Sequence, residues 1–133
     1  MSEMNNHIFI YGTLLDSKNE FGSFFKDNCC FISPAKFKGK MYDAREYPCV
    51  VPSGDDKDVV HGSVFLMPRP ERILKVLDDY EGFGDEQEQP NLFVRSLMKV
   101  KTSDNKPVAC WIYLYNLPVE GLRQIVSGKY QGR

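Results

Sequence analysis

The chain has 133 residues, 42% hydrophobic and 26% charged, and 17 basic against 18 acidic side chains leave a formal net charge of −1. That length buries a core without metal or disulfide staples, and the composition is that of one ordinary globular domain spanning residues 1–133. No apolar stretch reaches a membrane-spanning length and no basic run offers a footprint for a phosphate backbone, so neither membrane nor nucleic acid is an expected partner.

Residues 1–6 are polar and lack the basic-then-apolar pattern of a secretion signal. Residues 7–11, rich in β-branched and aromatic side chains and ending at Gly12, read as a buried strand. Residues 18–27 suit a short helix with Phe21, Phe24 and Phe25 on one side. Extended structure is expected from Cys29 to Tyr42, with an interruption at Pro34, and a short strand at 49–51. Residues 52–56 (Pro-Ser-Gly-Asp-Asp) form a hairpin loop. Residues 59–66 alternate as a strand, with Gly62 marking a bulge or a close approach.

The spacing of Ile73, Val76, Leu77 and Tyr80 predicts a helix over 70–81, with Pro70 and Glu71 in its first turn and Gly82 as its stop. A polar loop at 84–91 follows, then strands at 92–101 and 107–115 joined by a turn at 102–106. The remaining tail, with Pro118, Gly121 and Gly128, reads as irregular with one short helical turn. Strands dominate around one clear helix, which gives an α+β class and a small mixed barrel with helices outside.

Four cysteines (Cys29, Cys30, Cys49 and Cys110) show no CxxC spacing and two are adjacent, so reduced thiols in a cytoplasmic protein are expected. His7 and His61 are the only histidines, too few for a His/Cys zinc site, and no metal is expected. GxSxG, GxGxxG and P-loop patterns are absent. Cys49 as a nucleophile needs a histidine that only the fold can bring. Trp111, Tyr113 and Tyr115 alternate on one strand face, as core or pocket wall.

Two places carry candidate chemistry. Glu81 lies four residues after Leu77 and eight after Ile73, so it continues the apolar stripe. Desolvation, the negative helix end and the like charges of Asp78 and Asp79 all raise its carboxyl pKa, toward what general acid–base catalysis at neutral pH requires. The competing reading is a helix frayed at Tyr80 with Glu81 in water. Directly after the first strand, Tyr11-Gly12-Thr13-Leu14 can turn its backbone N–H groups toward a carboxylate or oxyanion, or be a turn and nothing more.

Tyr11-Gly12-Thr13-Leu14, Gly39-Lys40-Met41-Tyr42 before Tyr47-Pro48, Leu77-Asp78-Asp79-Tyr80-Glu81-Gly82, Arg95 and Ser127-Gly128 occur in an order that covers nearly the whole chain. In these the sequence resembles the γ-glutamylcyclotransferase-like family, particularly the small branch with γ-glutamylamine cyclotransferases. The resemblance implies a small mixed β-barrel with flanking helices, and an enzyme that cyclises a γ-glutamyl amide to 5-oxoproline and a free amine without a cofactor. It assigns Glu81 as acid–base catalyst and Tyr11, Gly12, Thr13, Leu14, Tyr47, Tyr80 and Arg95 to substrate binding. Phe93 stands where the family often has a tyrosine, which removes one hydroxyl. Asp85, Glu86 and Glu88 near Glu81 suggest a preference for cationic leaving amines. The matched motifs recognise the glutamyl head group and leave the departing amine open. A non-catalytic small-molecule binding or regulatory module, and a hydrolase releasing glutamate, are the competing readings.

Overall fold

The computed structural model describes residues 5–11, 20–45 and 47–130. Ile8, Phe9 and Ile10 are all buried, so strand β1 (His7–Ile10) has apolar neighbours on both faces and lies inside a sheet, away from its edges. It pairs antiparallel with β4 (Val59–Leu66), Ile8 opposite Phe65, and parallel with β6 (Pro107–Tyr115), Ile8 opposite Trp111. β4 pairs in turn with the long β2 (Cys30–Asp43), and β6 with β5 (Phe93–Thr102). Ala35 opposite Thr102 and Lys36 opposite Lys101 join β2 to β5 and close the order β2-β4-β1-β6-β5 into a five-stranded barrel. β3 (Pro48–Pro52) continues the sheet along β2. Helices α1 (Glu20–Asn28) and α2 (Pro70–Glu81) flank the barrel, giving the expected α+β fold.

Period-two alternation divides the apolar side chains into two clusters. Phe9, Phe37, Met41, Val60, Val64, Val100 and Ile112 fill the barrel. Ile8, Ile10, Phe65 and Tyr113 point the other way, where Phe25 of α1 and Ile73, Leu74 and Leu77 of α2 cover them. Burying each of these three aliphatic side chains of α2 contributes about 2 kcal/mol, enough to hold a twelve-residue helix that is marginal alone. Of the predicted aromatic face of α1, Phe24 and Phe25 face this core; the side chain of Phe21 lies outside the described residues.

Two expectations are corrected. β2 runs unbroken through Pro34, and its register shifts one step earlier, between Phe31 and Ser33. A proline is tolerated beside a bulge, and the second neighbour of β2, strand β5, pairs only from Ala35 onward. The tail contains a two-residue strand, β7 (Arg123–Gln124), paired with Tyr42 and Asp43 of β2, where an irregular segment with a helical turn was expected.

Gly62 is a close approach: a Cβ there would overlap the Ile10 carbonyl oxygen and the Phe9 ring. Gly128 is tighter still. It has φ +69, its carbonyl accepts the His61 N–H at 2.8 Å, and a Cβ would overlap the Val59 carbonyl oxygen. Gly128→Ala therefore combines a left-handed backbone cost with a clash against rigid backbone, and should destabilise by about 2–4 kcal/mol in denaturant unfolding. A loss under about 1 kcal/mol would mean the tail is not fixed on β4.

Candidate active site

α2 stops at Gly82, whose φ of +73 is left-handed. The Phe83 N–H donates to the Asp78 carbonyl at 2.9 Å and the Gly82 N–H to the Asp79 carbonyl at 3.3 Å, the two reversed bonds of a Schellman motif. Glu81 is thus the last helical residue, held by a defined turn, and the frayed alternative does not occur. Its side chain meets a cavity of about 330 Å³ at the C-terminal end of β1. Tyr11 follows β1; Tyr47 and Pro48 come from the start of β3, Phe93 from the start of β5, and Tyr113 from β6.

The walls are mostly aromatic, and burial raises the Glu81 carboxyl to about 7. The like-charge contribution expected from Asp78 does not arise. Asp78 is neutralised by Arg95, whose Nε and terminal nitrogen donate to its two oxygens at 2.8 and 3.1 Å. Asp79 accepts a hydrogen bond from Gln87 at 2.9 Å on the exposed side. Desolvation alone does the work that three effects were expected to share.

A chain of hydrogen bonds frames the cavity. The Tyr11 hydroxyl donates to the Tyr113 carbonyl, and the Tyr113 hydroxyl donates to Asp78 Oδ1 at 2.7 Å. Burial first, then the Glu81 charge, pushes the Tyr11 hydroxyl well above its ordinary range; burial and the bond to Asp78 do the same for Tyr113. Both remain neutral hydroxyls. Phe93 packs edge-on against Tyr47 and Tyr115, each at 5.8 Å between centroids, so this position supplies shape and no hydroxyl.

Of the residues anticipated from sequence, Tyr11, Tyr47, Tyr80 and Glu81 meet around one cavity. Arg95 does not line it; its guanidinium sits over the Trp111 ring at 4.5 Å, bound to Asp78. Gly12, Thr13 and Leu14 lie outside the described residues. Among the described lining residues with a polar side chain, Tyr113 is the one that the candidate set lacked; its alternation with Trp111 and Tyr115 marked it as a wall without distinguishing core from pocket.

A family model for gamma-glutamyl cyclotransferase, AIG2-like, matches residues 8–132. The chain belongs to this family. It is 28% identical over 127 residues to the gamma-glutamylcyclotransferase family protein ytfP of Citrobacter rodentium, covering 95% of this chain and 96% of that one. The solution structure of ytfP from Escherichia coli superposes with a TM-score of 0.66 at 25% identity, over 94% of this chain and 96% of that one. YkqA from Bacillus subtilis superposes at 0.68 with 23% identity, and 96% of this chain covers only 40% of it.

Membership places the chain among cyclotransferase-like proteins with small-molecule substrates. Burial pushes the Cys49 thiol up to about 12, away from a reactive thiolate. Among the described residues no cluster of His, Cys, Asp and Glu could hold a metal, and no helix is long and apolar enough to cross a membrane.

Proposed function

We propose that this cyclotransferase-family chain closes the γ-glutamyl group of an amide substrate into 5-oxoproline and releases the free amine, with Glu81 as the acid–base residue. The observation that carries this is a desolvated carboxyl, raised to about 7, on the wall of an aromatic cavity. The α-ammonium of a γ-glutamyl group is a weaker acid than a carboxylic acid, and raising Glu81 from 4.5 to about 7 narrows the gap, so less driving force is lost in the proton transfer.

Glu81 takes a proton from the α-ammonium, and the freed amine attacks the γ-carbonyl carbon to close a five-membered ring. The tetrahedral oxyanion then collapses and the bond to the departing nitrogen breaks. Two protons leave the α-nitrogen and both end on the departing amine, so one carboxyl group cycling between its forms serves every transfer. Tyr11, Tyr47 and Tyr80 supply shape around the glutamyl head, and we assign to Gly12, Thr13 and Leu14 the N–H donors for its carboxylate or for the oxyanion. Arg95 acts on the substrate only through Asp78.

The chain leaves the cavity at Glu81 and returns at Leu92, and the segment between exposes Asp85, Glu86 and Glu88. We take these as a bias toward leaving amines that carry a second positive charge. The four cysteines are free thiols, which fits a reducing cytoplasm.

The test is incubation with a panel of γ-glutamyl amides while NMR follows the product. 5-Oxoproline is expected. Free glutamate would make the chain a hydrolase, and saturable binding without turnover would make it a binding module. Neutralising Asp85, Glu86 and Glu88 together should erase the preference for cationic amines; an unchanged preference refutes that assignment.

A further inference from the structure

A second concavity, of about 770 Å³, shares no lining residue with the first. It lies between β2 and β5, which meet in only two registered pairs, and its lining combines inward residues such as Phe37 and Val100 with outward lysines. From Phe93 at the first cavity to Val100 at the second, β5 covers about 23 Å.

The outward groups here are nearly all basic. Lys36 faces His61 across β4 and Lys101 across β5, so three strands carry one row of basic side chains about 10 Å wide, with the two lysines as its charges. One pleat along, Lys38 and Lys99 continue in the same register just past the end of the pairing. Like charges directly opposite one another cost stability in a sheet. Nearby acids offset them only in part, through Asp56 on the rim of the cleft. Asp56 is bound to Lys38 at 2.7 Å, Asp58 to Ser53 at 2.7 Å with Lys40 at 3.9 Å, and Asp104 to Thr102 with Lys106 at 3.7 Å. Among the described residues, Lys36, Lys99 and Lys101 make no salt bridge. Desolvation first, then the charges of Lys129 and Lys36, hold the His61 imidazole below its ordinary range. Ser103 and Asn105 add polar groups at the rim.

We propose that this cleft binds a compact polyanion with two or more linked phosphate groups, at a site separate from the Glu81 cavity. The basic groups fill an area about 10 Å by 7 Å and converge on a concavity of small-ligand size, where a nucleic-acid track would need a longer stripe. The proposal stands whether or not the chain is a cyclotransferase.

The experiment is a titration of inorganic tripolyphosphate into the intact protein at low ionic strength, followed by calorimetry and by backbone amide shifts. Binding is expected, with shifts concentrated on residues 36–38, 61 and 99–105, and with the His61 titration midpoint raised by the bound anion. Lys36→Gln with Lys101→Gln should weaken binding at least about tenfold, while Lys26→Gln with Lys75→Gln, on the helices, should leave it unchanged. Amide spectra of both variants confirm that they fold. Tighter binding of a nucleoside triphosphate would show that a base is also read, and equal binding that the phosphate chain suffices. Equal loss in both double variants, dispersed shifts, or binding of oligonucleotides but not of tripolyphosphate overturns the proposal.

Discussion

Glu81→Gln is expected to lower 5-oxoproline release by about 10²–10⁴ in kcat and, at pH 8, to make the protein more stable than the wild type. Both effects have one cause. Glutamine keeps the size of the side chain and its place at the end of the Schellman turn, but it can neither take nor return a proton. It also removes the need to desolvate a charge. The folded-state pKa of about 7 lies above the value of 4.5 that Glu81 has when exposed, so the folded state binds the proton more tightly. The stability this contributes is fully present below pH 4.5 and is lost as pH rises through 7. The loss is about 3 kcal/mol for a shift of this size.

Denaturant unfolding at pH 4.5, 6 and 8 checks this directly. Wild-type stability should fall relative to Glu81→Gln across that window, with the two curves close together at pH 4.5. Wild-type kcat/KM should fall as pH drops below about 7, because the base is then already protonated. Parallel stability curves would show that the carboxylate is hydrated in the folded state, and the proposed mechanism would lose its basis.

How much of this was legible beforehand depended on whether the signal was local. The α2 stripe of Ile73, Leu77 and Glu81 and the stop at Gly82 sit within ten residues, and the folded helix keeps them. Gly62 also announced itself, as a glycine inside a strand pattern. The electrostatics of Asp78 were misread because its partner, Arg95, is seventeen residues away and reaches it only once β5 is beside α2. Tyr113 was lost for a similar reason, since alternation gives a face but does not say whether core or cavity lies in front of it. The basic cleft is the extreme case. Lys36 and Lys38, then Lys99 and Lys101, are separated by single residues in sequence and never form a run, and only barrel closure sets the two pairs side by side.

Removing the Asp78 carboxylate should destabilise the protein by about 2–4 kcal/mol, and Arg95→Ala by a similar amount. The pair is mostly dry, with side-chain exposures of 21% for Asp78 and 16% for Arg95, and the Tyr113 hydroxyl depends on the same carboxylate. Every buried side-chain nitrogen and oxygen among the described residues has a hydrogen-bond partner, so either truncation leaves a polar or charged group stranded. The double variant should therefore lose at least about 1 kcal/mol less than the sum of the single losses, and additive losses would show that the two groups do not act together. Catalysis separates position from charge. Asp78 lies one turn before Glu81 and clamps α2 to β5 and β6, so losing the clamp lets Glu81 drift, which should lower kcat. Burial is the cause of the raised Glu81 pKa, and the double variant removes one charge of each sign. Its pH–rate midpoint should therefore stay near 7 while kcat falls. A midpoint that moves toward 4.5 would instead mean that the clamp keeps water out of the cavity, and that Asp78 and Arg95 set the acidity of Glu81 as well as its place.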